Sequence, residues 1–195
     1  NNGIAEGQDW KDFRNLGLQA SYKGFRAVLK NMSYDHGSPA STFSRTFNSD
    51  TTSTGYNGSA AELSFTTPIS PAVQLHLVGS ANFYVRRQVV PLEFGGTTYI
   101  TSDRGASEWY RAEAQLRIDP APAHRLFVGA QFKTAALDYA LNAGATQLNK
   151  TDLSFSSLSV YAQDEYRLSR NLAATVGLRY DSYSGSQRAF APRFA

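Results

Sequence analysis

The chain has 195 residues, 19 basic against 16 acidic side chains, a net charge of +3 and no cysteine. Basic residues scattered at so small an excess leave no electrostatic footprint for nucleic acid, and the missing cysteine excludes disulfides and thiolate metal sites. Charged residues make up only 18%, while Tyr and Phe number 11 and 12, a polar and aromatic balance that favours β structure.

The first ten residues, "NNGIAEGQDW", have neither the basic start nor the apolar centre of a signal peptide. The expectation is a leader already removed or a chain that begins partway through a larger protein. No apolar run approaches the roughly 18 residues of a membrane helix, and mean hydropathy is negative. That excludes helical spans alone, because a transmembrane strand alternates lipid-facing with lumen-facing residues and looks hydrophilic on average.

Strands are predicted at 14–22, 24–35, 58–68, 73–87, 107–119, 125–139, 153–167 and 172–183, and a stub starts at "APRFA". The first hairpin alternates least clearly: Arg26, Lys30 and Met32 share a face with Val28, and Asn31 shares one with Leu29. The Ser/Thr-rich stretch 37–57 reads as a loop within one sheet rather than a linker, since the same alternation stands on both sides of it. The period is clearest at "SEWYRAEAQLRID", where Tyr110, Ala112, Ala114, Leu116 and Ile118 alternate with Arg111, Glu113, Gln115, Arg117 and Asp119. Pro120 and Pro122 then force a turn, and Leu126, Val128, Ala130 and Phe132 resume the apolar face.

Connections alternate in length: short at Lys23-Gly24, 70–72, 120–124 and 169–171, long at 36–57, 88–106, 140–152 and 184–190. An up-and-down meander puts all short turns on one rim and all long loops on the other, as outer-membrane barrels do with periplasmic turns and extracellular loops. Most strands reach the roughly 9 to 11 residues that a tilted strand needs to cross a bilayer. Tyr22, Tyr34, Tyr84, Trp109, Tyr110, Tyr166 and Tyr180 lie near strand ends, where interfacial girdles belong.

The stretch "SVYAQDEYRLSRNLAATVGLRYDSYS" and the closing "APRFA" resemble the barrel domain of TonB-dependent outer-membrane receptors. That family follows a "YAQDEYRLS" strand with a short turn, a "GLRYD" strand and an "SPR"-type strand start. Here those parts are Tyr161 to Ser169, Gly177 to Asp181 and Ala191 to Phe194, with Ala191 in place of the commoner Ser. The specific match covers residues 158–195. The resemblance implies a barrel of roughly 22 strands with a plugged lumen. It further implies uptake of a ferric siderophore, a cobalamin-like ligand or a similar bulky nutrient, with outer-membrane lipid and the parent's plug domain as neighbours. The TonB complex would act indirectly through the plug, and no cofactor is implied. The expected fold class is therefore all-β: a transmembrane, antiparallel up-and-down barrel segment of about eight long strands. The resemblance leads to the expectation that residues 1–195 are one partial barrel domain, without the plug and the remaining barrel strands, in the cell outer membrane of a Gram-negative bacterium.

On this reading Arg111, Glu113, Arg117, Gln163, Glu165, Arg179 and Asp181 line a polar interior, and for any one of them a solvated lattice of ion pairs outweighs an individual role. Asp164 falls on the lipid phase near a turn end. Asp164 and Glu165 point to opposite faces and cannot work as an acid/base pair. His36, His76 and His124 lie on separate hairpins with no carboxylate or histidine at metal-ligand spacing, so no metal site is predicted. No G-x-S-x-G elbow or phosphate-cradling glycine motif appears, no catalytic group is nominated, and an enzyme is not expected. His36, Tyr56, Tyr99 and Trp109 are the ligand-binding loop candidates, alongside Phe43, Phe47 and Phe94.

Two other architectures remain open on the sequence. One is an autonomous eight-stranded outer-membrane barrel, such as an adhesin or a barrel enzyme. The other is a soluble β-sandwich carbohydrate-binding module hiding Leu116, Ile118, Val128 and Phe132 between two sheets.

Overall fold

A computed structural model describes residues 4–37, 47–185 and 187–195. The described residues form one sheet of nine antiparallel strands without a helix: β1 (Lys11–Tyr22), β2 (Phe25–Gly37), β3 (Ser53–Ser70), β4 (Val73–Phe94), β5 (Thr97–Ala121), β6 (His124–Ala143), β7 (Thr146–Arg167), β8 (Ala173–Tyr183) and β9 (Arg188–Phe194). Every strand pairs with its neighbours in sequence, the up-and-down order that was expected. The "APRFA" stub is the end of β9, in register with β8 from Arg188 opposite Ser182 to Phe194 opposite Val176.

Side chains alternate across a strand, so the register sorts the sheet into two faces. One rung reads Tyr22, Phe25, Phe65, Leu77, Ala114, Ala130, Val160, Tyr180, Phe190 across all nine strands. The adjacent rung on the opposite face reads Ser21, Arg26, Ser64, Val78, Glu113, Gln131, Ser159, Asp181, Ala189. The first hairpin obeys the same division: Arg26, Val28, Lys30 and Met32 stand on the ionic face, with Leu29 and Asn31 on the apolar one.

Burial is inverted relative to a water-soluble sheet. Among the described residues Val90 and Pro91 are the only buried apolar side chains, whereas Ser64, Ser157, Ser159 and Asp181 are buried. Phe132 remains 49% exposed and Val176 54%. Among the described residues no second layer covers the apolar face, which removes the β-sandwich. Nor do β1 and β9 meet, so the described strands do not close as a small autonomous barrel.

The apolar face is a band rather than a whole surface. On β4 it runs from Val73 to Phe83, on β5 from Ile118 back to Tyr110. Eleven residues at ~3.4 Å each, tilted by about 45°, rise about 25 Å, the height of the apolar belt of a membrane barrel. Above it the same face turns ionic, with Glu108, Arg87 and Arg104, then Asp138 opposite Asp152. Arg104 pairs with Asp138 at 2.9 Å. A hydrogen bond with the Asp138 side chain and the Lys150 ammonium 3.2 Å away hold the Asp152 carboxyl below the usual carboxylate range.

Two expectations are corrected here. The stretches 88–106 and 140–152 are not loops: the strands run on to the two-residue turns Gly95-Gly96 and Gly144-Ala145. Gly95 and Gly96 take φ of +57° and +79°, the pair of positive angles that a type I′ hairpin turn demands. Above Val89 and Thr101 the β4–β5 hairpin has no ladder partner on either side among the described residues, so Pro91 sits where a missing N–H is tolerated. The long rim is therefore built of protruding ribbons, and at roughly 80 Å β5 far exceeds a bilayer crossing. The predicted girdle also divides. Tyr22, Tyr110, Tyr166 and Tyr180 lie on the apolar face, but Tyr34, Tyr84 and Trp109 lie on the ionic one.

Amide hydrogen exchange separates a ribbon from a loop. In the full-length parent protein, the amides of 88–94 and 97–106 that bond across the ladder should exchange at least tenfold more slowly than those of 47–52. Uniformly fast exchange across 88–106 would restore the loop.

Candidate functional site

The ionic face carries a hydrogen-bonded lattice that spans β3 to β8. Arg111 on β5 reaches Glu62 on β3 at 3.1 Å and Glu113 on its own strand at 3.7 Å. Glu113 accepts hydrogen bonds from the Tyr161 phenol at 2.6 Å and the Gln131 amide at 3.1 Å, while Gln115 donates to the Tyr161 oxygen at 2.9 Å. Arg179 donates to Gln131 at 2.9 Å, to Ser159 at 2.8 Å and to Asp181 at 2.9 Å. Ser159, only 1% exposed, gives its own proton to Asp181 at 2.5 Å.

Strand alternation supplies the charges, and one close approach shapes the lattice. The Tyr161 ring lies across Gly129, where a Cβ would come within 2.5 Å of the phenol and 2.9 Å of the Ala114 carbonyl. Any side chain there would push Tyr161 away from Glu113 and Gln115. The Arg179 guanidinium also sits 5.9 Å from the centre of that ring, within cation–π range.

Arg117 and Glu165 belong to a second cluster at the short-turn rim. Arg117 holds Asp119 at 2.7 Å, and Arg125 lies 3.5 Å from Asp119 and 3.9 Å from Glu165. Gln163 bridges to Glu165 at 3.4 Å and accepts from Arg193 on β9 at 3.3 Å. The seven polar candidates thus fall into two bonded groups on one face, with Arg111, Glu113, Arg179 and Asp181 in the first and Arg117, Gln163 and Glu165 in the second.

The four ligand candidates do not converge. His36 and Tyr56 do meet, as part of an aromatic ladder on the ionic face that sequence reasoning missed. Phe13, Tyr34, Tyr56 and Tyr84 succeed one another across β1 to β4 with ring centres 6.4, 6.0 and 6.2 Å apart, and His36 stacks on Tyr34 at 5.2 Å. No single strand announces it, because each strand contributes one or two rings and only the register aligns them. All four candidates lie on strands rather than loops. Tyr99 is remote, on the protruding hairpin, and Trp109 lies lower on the ionic face beside Arg111. Phe43 lies outside the described residues.

One histidine has a partner that sequence spacing does not show. His124 has a carboxylate beside it: Nδ1 is 2.7 Å from Asp164 Oδ2, and its ring lies 4.6 Å from that of Tyr166. The partners come from β6 and β7, forty residues apart, which no local spacing shows. Among the described residues no group of three or more His, Cys, Asp or Glu is arranged to hold a metal ion.

Comparison with known proteins decides the family. The model for the TonB dependent receptor-like β-barrel matches residues 1–195, the entire chain. The chain belongs to this family. No curated protein matches it. Among solved structures it is similar to the unliganded ferric citrate transporter FecA, with a TM-score of 0.63 and 12% identity over 97% of this chain. At that identity the likeness is one of fold. The chain spans 33% of the FecA chain, so it corresponds to a segment of a receptor-like barrel wall.

Substituting Gly129 tests the close approach. Gly129→Val should evict the Tyr161 ring and cost about 1–3 kcal/mol by overpacking, read as a lower unfolding midpoint in detergent. Tyr161 should also become reactive to nitration. Unchanged protection of Tyr161 would show that the lattice does not depend on this contact.

Proposed function

We propose that this chain is part of the barrel wall of a TonB-dependent receptor in the outer membrane, and that the receptor takes up a ferric siderophore or a similarly bulky nutrient. The observation that carries the reading is the inversion of the sheet: a bare apolar band about one bilayer core high on one face, and a bonded ionic lattice on the other. Hydrocarbon is the one solvent that leaves the first face uncovered at no cost and makes every backbone group pair within the sheet.

In this reading Leu116, Val128 and Val176 meet acyl chains, and the Tyr110–Glu108 level meets headgroups. The ionic face lines the lumen. Its lattice braces the wall and presents polar groups to a plug domain of the parent, which the TonB complex would engage in turn. The ladder of Phe13, Tyr34, Tyr56 and Tyr84 stands on the lumen face toward the protruding ribbons, where its flat rings suit a chelate arriving from outside. Similarity to a structure described as a ferric citrate transporter supports an iron chelate as cargo. Ser159 and Asp181 are only 1% and 9% exposed and both are bonded to Arg179, so their hydrogen bond braces the wall rather than activating a nucleophile, and the reading is transport.

Two measurements test it. Nitroxides at Leu116, Val128 and Val176 of the full-length parent in liposomes should collide with oxygen as bilayer-exposed labels do, whereas burial against protein would remove the barrel-wall reading. Deleting the parent gene should abolish growth on a ferric chelate as sole iron source, and undiminished growth would remove the siderophore assignment.

A further inference from the structure

The outward face changes character just past the apolar band. There Glu108 stands opposite Phe83, Ala106 opposite Val85 and Arg104 opposite Arg87. On the next two strands Asp138 faces Asp152 and Ala136 faces Ser154. A concavity of about 560 Å3 opens among these side chains, with Phe83, Ala106 and Ala136 in its apolar lining and Arg104, Glu108 and Asp138 in its charged lining.

Its charges are only partly matched. Arg87 and Arg104 are like charges directly opposite one another, as are Asp138 and Asp152, and either arrangement destabilises a sheet unless something offsets it. Arg104 reaches Asp138 at 2.9 Å, and Lys150 reaches Asp152 at 3.2 Å. Exposed pairs of this kind contribute little against water, so a ligand can displace either partner at small cost. Arg87 is exposed and has no carboxylate within 4 Å among the described residues. Glu108 likewise has no cation within 4 Å, and accepts only a 3.5 Å contact from the Tyr110 hydroxyl.

Direction and height limit what can meet these groups. They lie on the face turned away from the lumen, so neither cargo in transit nor anything seated inside the barrel reaches them. Arg104 lies four residues beyond Glu108 on β5, which at ~3.4 Å each and a tilt of about 45° is about 10 Å above the edge of the band. That is the polar layer of a bilayer rather than its hydrocarbon.

The two arginines suit a phosphate, which guanidinium groups bind through paired N–H donors. Glu108 and Asp138 repel a phosphate and accept instead from hydroxyl or amine donors. Phe83 beside them, 44% exposed, offers an apolar surface. A phosphodiester alone leaves the carboxylates without a donor. A phosphorylated sugar carries both kinds of group, and its length matches the roughly 14 Å of strand between the arginine pair and Glu108.

We propose that this concavity holds the headgroup of a phosphorylated glycolipid, with a phosphate between Arg87 and Arg104 and sugar hydroxyls on Glu108 and Asp138. The inference rests on reading the chain as a lipid-facing wall, and goes beyond it in assigning one lipid class to one place on that wall.

Native mass spectrometry of the full-length parent in detergent, with defined lipids added, reads the site. Diphosphoryl lipid A, whose head is a phosphorylated glucosamine disaccharide, should bind at least tenfold more tightly than phosphatidylglycerol, which has phosphate without sugar. It should outbind the same glycolipid stripped of both phosphates by a similar factor. R87Q/R104Q should lose this preference, and E108Q should weaken binding of lipid A but not of phosphatidylglycerol. Equal binding of the three lipids by the unsubstituted receptor, or a preference for phosphatidylglycerol, overturns the proposal without any variant having to fold. So does a lipid A preference that survives in R87Q/R104Q, because the glycolipid is then held elsewhere. Bilayer-exposed nitroxides at Leu116 and Val128 in a receptor without lipid preference overturn the headgroup site alone. Labels buried against protein remove the barrel-wall reading with it.

Discussion

Everything in this sheet follows from the requirement that backbone N–H and C=O groups pair inside the sheet wherever no water reaches them. In hydrocarbon an unpaired peptide group costs several kcal/mol, so a strand that crosses must be long, regular and bonded on both sides. The ladders of β3 to β7 meet that demand, with β4 and β5 paired over their full length from Val73 opposite Ile118 to Phe94 opposite Thr97. Once pairing is continuous, alternation leaves no freedom in where side chains point, and a one-residue slip would bring Arg111 and Glu113 into the apolar band. Register is thus enforced by the solvent on both sides at once.

The same constraint explains why the ionic face is a lattice. Charges that alternate on neighbouring strands fall within reach of one another, and a buried hydroxyl such as Ser159 must find partners, which it does in Arg179 and Asp181. Each partly exposed pair adds little by itself. Collectively the bonds occupy most polar groups of a wall that has almost no apolar core, although Arg111 Nε and Arg125 Nε are buried without a hydrogen-bond partner among the described residues. Among the described residues the two buried apolar side chains, Val90 and Pro91, lie just beyond the last β3–β4 pair, Ser53 opposite Val89.

How much of this could be read from the sequence follows the chemistry of the two faces. Where one face meets lipid and the other a polar interior, the contrast between adjacent residues is large. The strands predicted at 107–119, 125–139, 153–167 and 172–183 accordingly sit inside observed strands apart from Leu172 at one end. Beyond the band both faces meet water. At 88–106 and 140–152 the alternation of apolar and polar residues fades although the ladder continues. The aromatic girdle failed for a related reason: Tyr34, Tyr84 and Trp109 are near the ends of the predicted strands, but the face is set by parity, and β4 and β5 run on well past Tyr84 and Trp109. Contacts between distant strands, Tyr161 on Gly129 or His124 on Asp164, need the register and leave no local trace.

Asp164 shows how the band is bounded. It stands on the apolar face between Leu126 and Val176, a place where an isolated carboxylate would be expensive in hydrocarbon. Its neighbours ease the conflict at one oxygen: Oδ2 lies 2.7 Å from the His124 ring nitrogen, and that ring packs on Tyr166, one rung closer to the short turns, while Oδ1 has no partner among the described residues. A polar pair backed by a tyrosine is the composition of a membrane interface rather than of its interior. The lower limit of the hydrocarbon therefore passes near Leu126 and Val176, as Glu108 marks the upper limit beside Tyr110. An apparent exception to the lipid-facing pattern is the residue that locates its edge.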